Sequence, residues 1–91
     1  MSRSKTRAGS YNLAGEKIRY LRLSYTHRLS QRNLAEKMQL LEIDLDKNAI
    51  QRIEAGERSI TDIELVAFSN FFNVSLDELV KPVIQKESSS S

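Results

Sequence analysis

The sequence repeats one helix-start pattern four times: an apolar residue, a capping residue, and a second apolar residue four positions after the cap. The two apolar side chains can pack together as a hydrophobic staple while the cap accepts a backbone N–H of the first turn. The four caps are Ser30, Asp46, Thr61 and Ser75. Because no segment shows the apolar alternation of a strand, the repeated pattern predicts an all-α fold.

A further helix precedes these four, which makes five in all. Apolar residues at helical spacing predict it over Leu13–Tyr25, with Ala14, Ile18, Leu21 and Tyr25 on one face. Its N-cap is either Ser10 or Asn12, and Gly15 weakens its start.

The second helix starts after Ser30 and carries an apolar stripe of Leu34, Ala35, Met38 and Leu41. The segment 40–45, LLEIDL, has two interpretations. It either extends the second helix or forms a loop with Ile43 and Leu45 turned inward.

The last two helices have marked ends. Thr61 with Glu64, and Ser75 with Glu78, have the spacing of capping boxes. Asn73 is placed to end the fourth helix in a left-handed conformation. The core face of that helix is predicted to be Leu65, Phe68 and Phe72, and Pro82 limits the length of the fifth helix.

The third helix, between Asp46 and Gly56, has the most informative polar face. Gly56 suits the position that follows a helix end, where φ is positive. Ala49, Ile50 and Ile53 form the apolar stripe, and the opposite side holds Lys47, Asn48, Gln51 and Arg52. Cationic and amide side chains can read guanine and adenine edges. From this helix alone, an ordinary solvated face is an equal alternative.

Composition excludes several functional classes. The chain has 91 residues, the length of a single domain. It has no Cys and a single His, so neither a disulfide framework nor a metal site is expected. No apolar run reaches the length of a membrane span and no signal sequence is recognisable, which makes the cytoplasm the default location. No nucleophile–base pair and no phosphate-binding glycine loop is present, so we expect neither an enzyme nor a cofactor.

Charge is divided unevenly along the chain. Residues 1–28 carry seven Lys or Arg against one acid, whereas residues 29–91 carry seven against eleven. We call residues 1–28 the basic front, and a basic segment of this kind suits a polyanionic partner. Residues 1–11 are predicted to be a basic flexible arm, either a plain disordered tail or one that follows DNA, and residues 82–91 a disordered tail. The domain then covers residues 12–81.

With these helices in place, the chain resembles the lambda-repressor-like, Cro-type helix-turn-helix family. The resemblance covers about Leu13 to Val80, through GEKIRYLR, LSQRNLAEKM, IQRIEAGER and ITDIELVAFSNFFNVSLDEL. It implies a five-helix domain that binds double-stranded DNA with the third helix in the major groove. The expected base contacts are Lys47, Asn48 and Arg52, assisted by Gln51.

The resemblance also implies contacts outside the third helix. Gln31 would meet phosphate and steady that helix, and Arg58 and Ser59 would meet phosphate beyond it. Arg32 shares the N-terminal turn of the second helix, where the positive end of the helix dipole favours phosphate. Arg22 and Glu54 would form a structural ion pair, the alternative being two separate surface charges.

The chain departs from the family between the second and third helices, where about five extra residues add Glu42 and Asp44. Glu57 also stands where a basic residue is common. The favoured function is a repressor that binds a palindromic operator as a homodimer. Leu79, Val80, Val83 and Ile84 form either the dimer surface or ordinary core. A protein-interaction module, such as an antitoxin or adaptor with weak DNA affinity, is the alternative.

Overall fold

A computed structural model describes residues 10–83, which form five α-helices and, within that range, no strand. The helices are α1 (Gly15–Ser24), α2 (Gln31–Leu40), α3 (Lys47–Glu54), α4 (Asp62–Phe72) and α5 (Leu76–Val80). The all-α class and the order of five helices predicted from the sequence are confirmed.

Four helices begin at the predicted caps. The side chains of Ser30, Asp46, Thr61 and Ser75 each accept the backbone N–H three residues later. At Thr61 the capping box is complete, because the Glu64 carboxylate accepts the Thr61 N–H in return. At Ser75 only half of the box forms, since the Glu78 carboxylate binds Lys17 instead.

The first helix is shorter than predicted and is held by Asn12. The N-cap position is Ala14, whose side chain makes no capping hydrogen bond, so the predicted N-cap at Ser10 or Asn12 is wrong. The Asn12 Oδ1 nevertheless accepts the Gly15 N–H at 2.6 Å, which satisfies the first backbone donor of α1. The Asn12 amide also donates to the carbonyls of Ile53 (3.0 Å) and Arg58 (2.7 Å). One side chain therefore fixes α1 against both the end of α3 and the segment that follows it.

Gly15 allows α1 to pack closely on α3. A Cβ atom at this position would overlap the carbonyl oxygen of Ile53, which belongs to the backbone of α3. The glycine that weakens the start of α1 on propensity grounds is thus required by the helix contact.

The α2–α3 connection is a loop, which agrees with the second of the two interpretations. The N–H of Ile43 donates to Met38 and that of Glu42 to Gln39, which is the Schellman pattern. Glu42 occupies the left-handed position, with φ of 65°. Leu45 is fully buried. Leu41, predicted on the buried stripe of α2, instead lies exposed because the helix ends before it.

We expect Glu42→Gly to stabilise the domain. A non-glycine residue in the left-handed region costs about 1–2 kcal/mol, and glycine relieves most of that cost. Urea denaturation of the variant will show a free energy of unfolding about 1 kcal/mol higher than that of the wild type. The matched control is Leu41→Gly, one position earlier and with φ of −92°, which will lose stability. A loss at position 42 as well would contradict the prediction.

The core lies where the five helices meet. Its largest fully buried side chains are Phe68, Ile18, Leu34, Met38, Leu45, Ile50, Ile53 and Leu79. Leu79 and Val80, which are candidates for a dimer surface on sequence grounds, lie in this core or pack against it. Tyr25 lies just beyond α1, where its ring stacks on Phe71 with 5.4 Å between the centroids.

Both chain ends extend past the described range. The predictions for residues 1–9 of the arm, for residues 84–91 of the tail and for Ile84 as a dimer residue lie outside the described residues. The predicted arm also includes Ser10 and Tyr11, which pack against the folded part. The Tyr11 N–H donates to the Gly56 carbonyl at 2.8 Å, and Ser10 lies so close to Gly56 that a Cβ there would overlap it.

Candidate nucleic-acid interface

Helix α3 presents one buried face and one unpartnered polar face. Ile50 and Ile53 are fully buried in the core. The four predicted base-contact residues, Lys47, Asn48, Gln51 and Arg52, are all exposed. Within residues 10–83 their side chains make no hydrogen bond or ion pair. Two cations and two amides are therefore free to bind an external partner.

The predicted ion pair between Arg22 and Glu54 is present and anchors the end of α3. The Arg22 Nε and Nη2 donate to the two Glu54 oxygens at 2.7 and 2.9 Å. Both side chains are more than nine-tenths buried. The remaining Arg22 nitrogen donates to the Leu29 carbonyl at 2.9 Å. Bidentate geometry of this kind fixes the orientation of both partners.

Gln31 joins the same network. Its Nε2 donates to Glu54 Oε1 at 3.0 Å, which ties the first turn of α2 to the last turn of α3. The sequence predicts that Gln31 both steadies the third helix and contacts phosphate. The structure shows the tie to α3, and the half-buried amide sits at the N-terminal turn of α2, where a phosphate is favoured.

Arg58 is committed to a partner inside the protein. Its Nη1 and Nη2 donate to the Glu64 oxygens at 3.0 and 3.1 Å, and Nη1 also reaches the Ser59 carbonyl. Burial raises the pKa of Glu64, but hydrogen bonds from Arg58 and Thr61 outweigh it and hold the pKa below its ordinary value. The hydrogen bond to Glu64 in turn raises the pKa of Arg58. The expected phosphate contact of Arg58 therefore has to compete with Glu64.

We expect Arg58→Ala to leave the salt dependence of DNA binding almost unchanged. Each phosphate contact contributes about 0.9 to the slope of log K against log salt concentration. A guanidinium neutralised by Glu64 makes little such contribution, whereas Glu64→Gln frees it and will steepen the slope. The control is Arg32→Ala, which removes an exposed cation and will flatten the slope by about 0.9. A comparable flattening in Arg58→Ala would contradict the prediction.

Arg32 is an available cation in the first turn of α2. Its side chain is 79% exposed, and its ion pair with Glu36 is long, at 3.9 Å. Exposed pairs on one helix contribute only a few tenths of a kcal/mol, so a phosphate can displace this one. Ser59, the other predicted phosphate contact, is half-buried beside Arg58.

The basic front of residues 1–28 is only partly available. Arg22 is paired with Glu54, and Lys17 is buried with its Nζ 2.8 Å from Glu78 Oε2 and 2.9 Å from the Glu78 carbonyl. The hydrogen bond from Lys17 lowers the pKa of Glu78. Of the four basic residues of this segment that the structure describes, only Arg19 and Arg28 are exposed.

Sequence reasoning missed three contacts in this arrangement: the hydrogen bonds from the Asn12 amide to Ile53 and Arg58, the close approach at Gly15, and the burial and pairing of Lys17. Each acts on a residue far along the chain, and a local pattern carries no signal for such a contact. Lys17 is the partial exception, because it lies three residues after Ala14 and four before Leu21, a spacing that places a cation on the apolar stripe of α1.

The fold and the free face of α3 define a DNA-binding helix-turn-helix domain. A helix-turn-helix family model matches residues 18–79, more than half of the chain. The chain therefore belongs to the lambda-repressor-like helix-turn-helix family and is a DNA-binding regulator. Neither the comparison with curated proteins nor that with solved structures found a significant match.

Metal-binding and membrane-spanning features are both absent from the part of the chain that the structure describes. Within residues 10–83 no three His, Cys, Asp or Glu side chains come together as a group that could hold a metal ion. No helix in the same range is long and apolar enough to cross a bilayer.

Proposed function

We propose that this protein is a transcriptional repressor that binds a palindromic operator as a homodimer. The observation that carries the proposal is the polar face of α3, whose cations and amides have no partner within the described residues. One recognition helix reads only a few base pairs, so two copies related by a two-fold axis are needed for operator-level specificity. The protein acts by occupying DNA and carries out no reaction of its own.

The contacts follow from the position of each side chain. Lys47 and Asn48 lie in the first turn of α3, the end that reaches base edges when such a helix enters the major groove. Gln51 and Arg52 lie one turn further on. Gln31, Arg32 and Ser59 supply phosphate contacts that set the register of the domain on the duplex.

The test is selection of bound duplexes from a random DNA library, followed by titration of the selected site at two salt concentrations. We expect an inverted repeat whose half-sites are about 10 base pairs apart, or a multiple of that spacing. Affinity for unrelated duplex will fall steeply with salt, because it rests on phosphate contacts. Recovery of no common sequence, together with binding that ignores salt, would overturn the proposal.

A protein-interaction module is the second candidate. The exposed acids Glu42 and Asp44 on the α2–α3 loop favour it, as does the neutralisation of Arg58 by Glu64. The same titration separates the two functions. Absence of binding to any duplex at low salt is expected of the interaction module and not of the repressor.

A further inference from the structure

The outward face of α1 is a broad surface that the DNA-binding role leaves unused. We define the α1 face as Leu13, which lies two residues before α1, together with Glu16, Arg19, Tyr20 and Leu23, which share one side of the helix at spacings of three and four. Leu13 and Tyr20 are 63% and 52% exposed. Two large apolar side chains of this face, each more than half exposed to solvent, indicate an interaction surface.

Two shallow grooves border this face. One, of about 720 Å³, is lined by Leu13, Glu16 and Arg19 and by Val80 and Pro82. A second groove shares Glu16 and Arg19 with it and continues past Leu23 to Val83. The described part of the chain thus ends on this surface, next to the α1 face.

The charges of the α1 face complement a second copy of the same face. Glu16 and Arg19 are both exposed, and neither has an ion pair within residues 10–83. If two α1 helices cross antiparallel about a two-fold axis level with residues 17 and 18, Glu16 of each copy meets Arg19 of the other. The same register places Leu13, just before α1 of one copy, opposite the last turn of α1 in the other copy, which contains Leu23. The apolar residues at the two ends of the interface then face each other. At its centre, Glu16 and Arg19 of the two copies form two pairs of opposite charge.

We propose that the α1 face is the homodimer interface of this protein. A surface with one acid and one base three residues apart offers no net charge to a foreign acidic or basic partner, but it is complementary to itself. The grooves contain none of the base-contact residues Lys47, Asn48, Gln51 and Arg52; they border only the C-terminal end of α3, at Glu54 to Gly56. A second copy docked here leaves the DNA-reading end of α3 open.

This proposal rests on the proposed repressor function and specifies how its homodimer forms. It can be tested without DNA. Sedimentation equilibrium of the full chain should show a concentration-dependent dimer. The variants Glu16→Arg and Arg19→Glu will each shift the protein to monomer, because like charges then face each other across the two-fold axis. Mixing the two single variants will restore a dimer, since positions 16 and 19 are then both basic in one copy and both acidic in the other.

Circular dichroism of each variant checks that it is folded, and Glu36→Arg on the exposed side of α2 is the matched charge-reversal control. That control will dimerise like the wild type. A wild type that stays monomeric at every concentration, or dimers that survive both single reversals, would overturn the α1 interface. Dimers that survive both reversals refute the α1 interface alone, whereas a monomeric wild type refutes the homodimer of the proposed function as well. DNA binding by α3 is tested separately, by selection of bound duplexes, so the failures are distinguishable.

Discussion

Replacing Glu54 with alanine will lower the free energy of unfolding by about 3–5 kcal/mol, because it leaves a buried guanidinium without its counter-charge. The Arg22 side chain is 9% exposed and that of Glu54 3% exposed, so water cannot take over the lost contacts. Gln31 loses its acceptor at the same time. A small domain has about 5–15 kcal/mol of stability in all, so the variant will be close to unfolding at room temperature. Urea denaturation measures the loss.

The double variant Arg22→Met with Glu54→Leu is the control for this prediction. Removing both charges leaves no buried ion without a partner. Replacement of a buried ion pair by apolar residues is often neutral or stabilising. We expect the double variant to be several kcal/mol more stable than Glu54→Ala alone, which gives a strong coupling between the two positions. A loss below about 1 kcal/mol for Glu54→Ala, the level of an exposed pair, would show that the pair contributes little.

The same pair links stability to DNA reading. Glu54 is the last residue of α3, Arg22 lies in the last turn of α1, and Gln31 is the first residue of α2. Three helices therefore meet on one carboxylate, which fixes the axis of α3 relative to α1 and α2. In the double variant, apolar packing of the new side chains can offset the lost stability of the ion pair. The direction of the α3 axis is nevertheless less constrained, because the hydrogen bonds to Glu54 are gone. Base-pair discrimination is then expected to fall even where the fold survives.

Local signals in the sequence were enough to predict where most helices begin and end. A cap such as Asp46 acts on a backbone group three residues away, and Gly56 and Asn73 act on the turn they occupy. These interactions are complete within a short segment. They can be recognised without knowing what the segment packs against.

The contacts that orient the helices were not predictable in the same way. The Asn12 amide bonds a carbonyl 41 residues away, and the Lys17 ammonium one that is 61 residues away. Lys17 belongs to the basic front of the sequence, yet it is buried and paired with Glu78. Only the tertiary fold brings such partners together, so charge counted along the chain overestimated the charge on the surface.

The α2–α3 connection shows how packing decides between two local solutions. Helix and loop are both compatible with LLEIDL on propensity. The loop forms because it buries Leu45 completely and lets Ile43 pack on the core, whereas Leu40 and Leu41 stay exposed. The strained φ of Glu42 is the energetic cost of that solution.

The candidate site was predicted in part. The exposed face of α3 followed from helical spacing alone, since burying Ile50 and Ile53 turns the other side of the helix outward. The pairing of Arg58 with Glu64 could not be predicted from helical spacing, although the two residues are only six positions apart. That contact depends on how the segment before α4 folds back onto its first turn, which sequence spacing does not report.

Replacing Lys47, Asn48 and Arg52 together with alanine will remove the preference for operator over random DNA. A bidentate contact between a side chain and a base contributes about 1–3 kcal/mol of discrimination, so losing the set should cost at least about a hundredfold in specificity ratio. The three side chains are exposed and lack partners within residues 10–83, so their removal leaves the fold intact. Competition binding with the selected operator and a scrambled duplex measures the ratio.

The matched control removes two cations and one amide elsewhere on the surface: Lys37, Asn70 and Lys81, all exposed and all outside α3. It lowers the net charge by the same amount, so it loses the same long-range attraction to DNA while keeping every side chain of the α3 face. We expect it to bind both duplexes somewhat more weakly and to keep the ratio between them. If the α3 variant keeps the ratio as well, specificity must come from another surface, and α3 contributes no more than non-specific affinity.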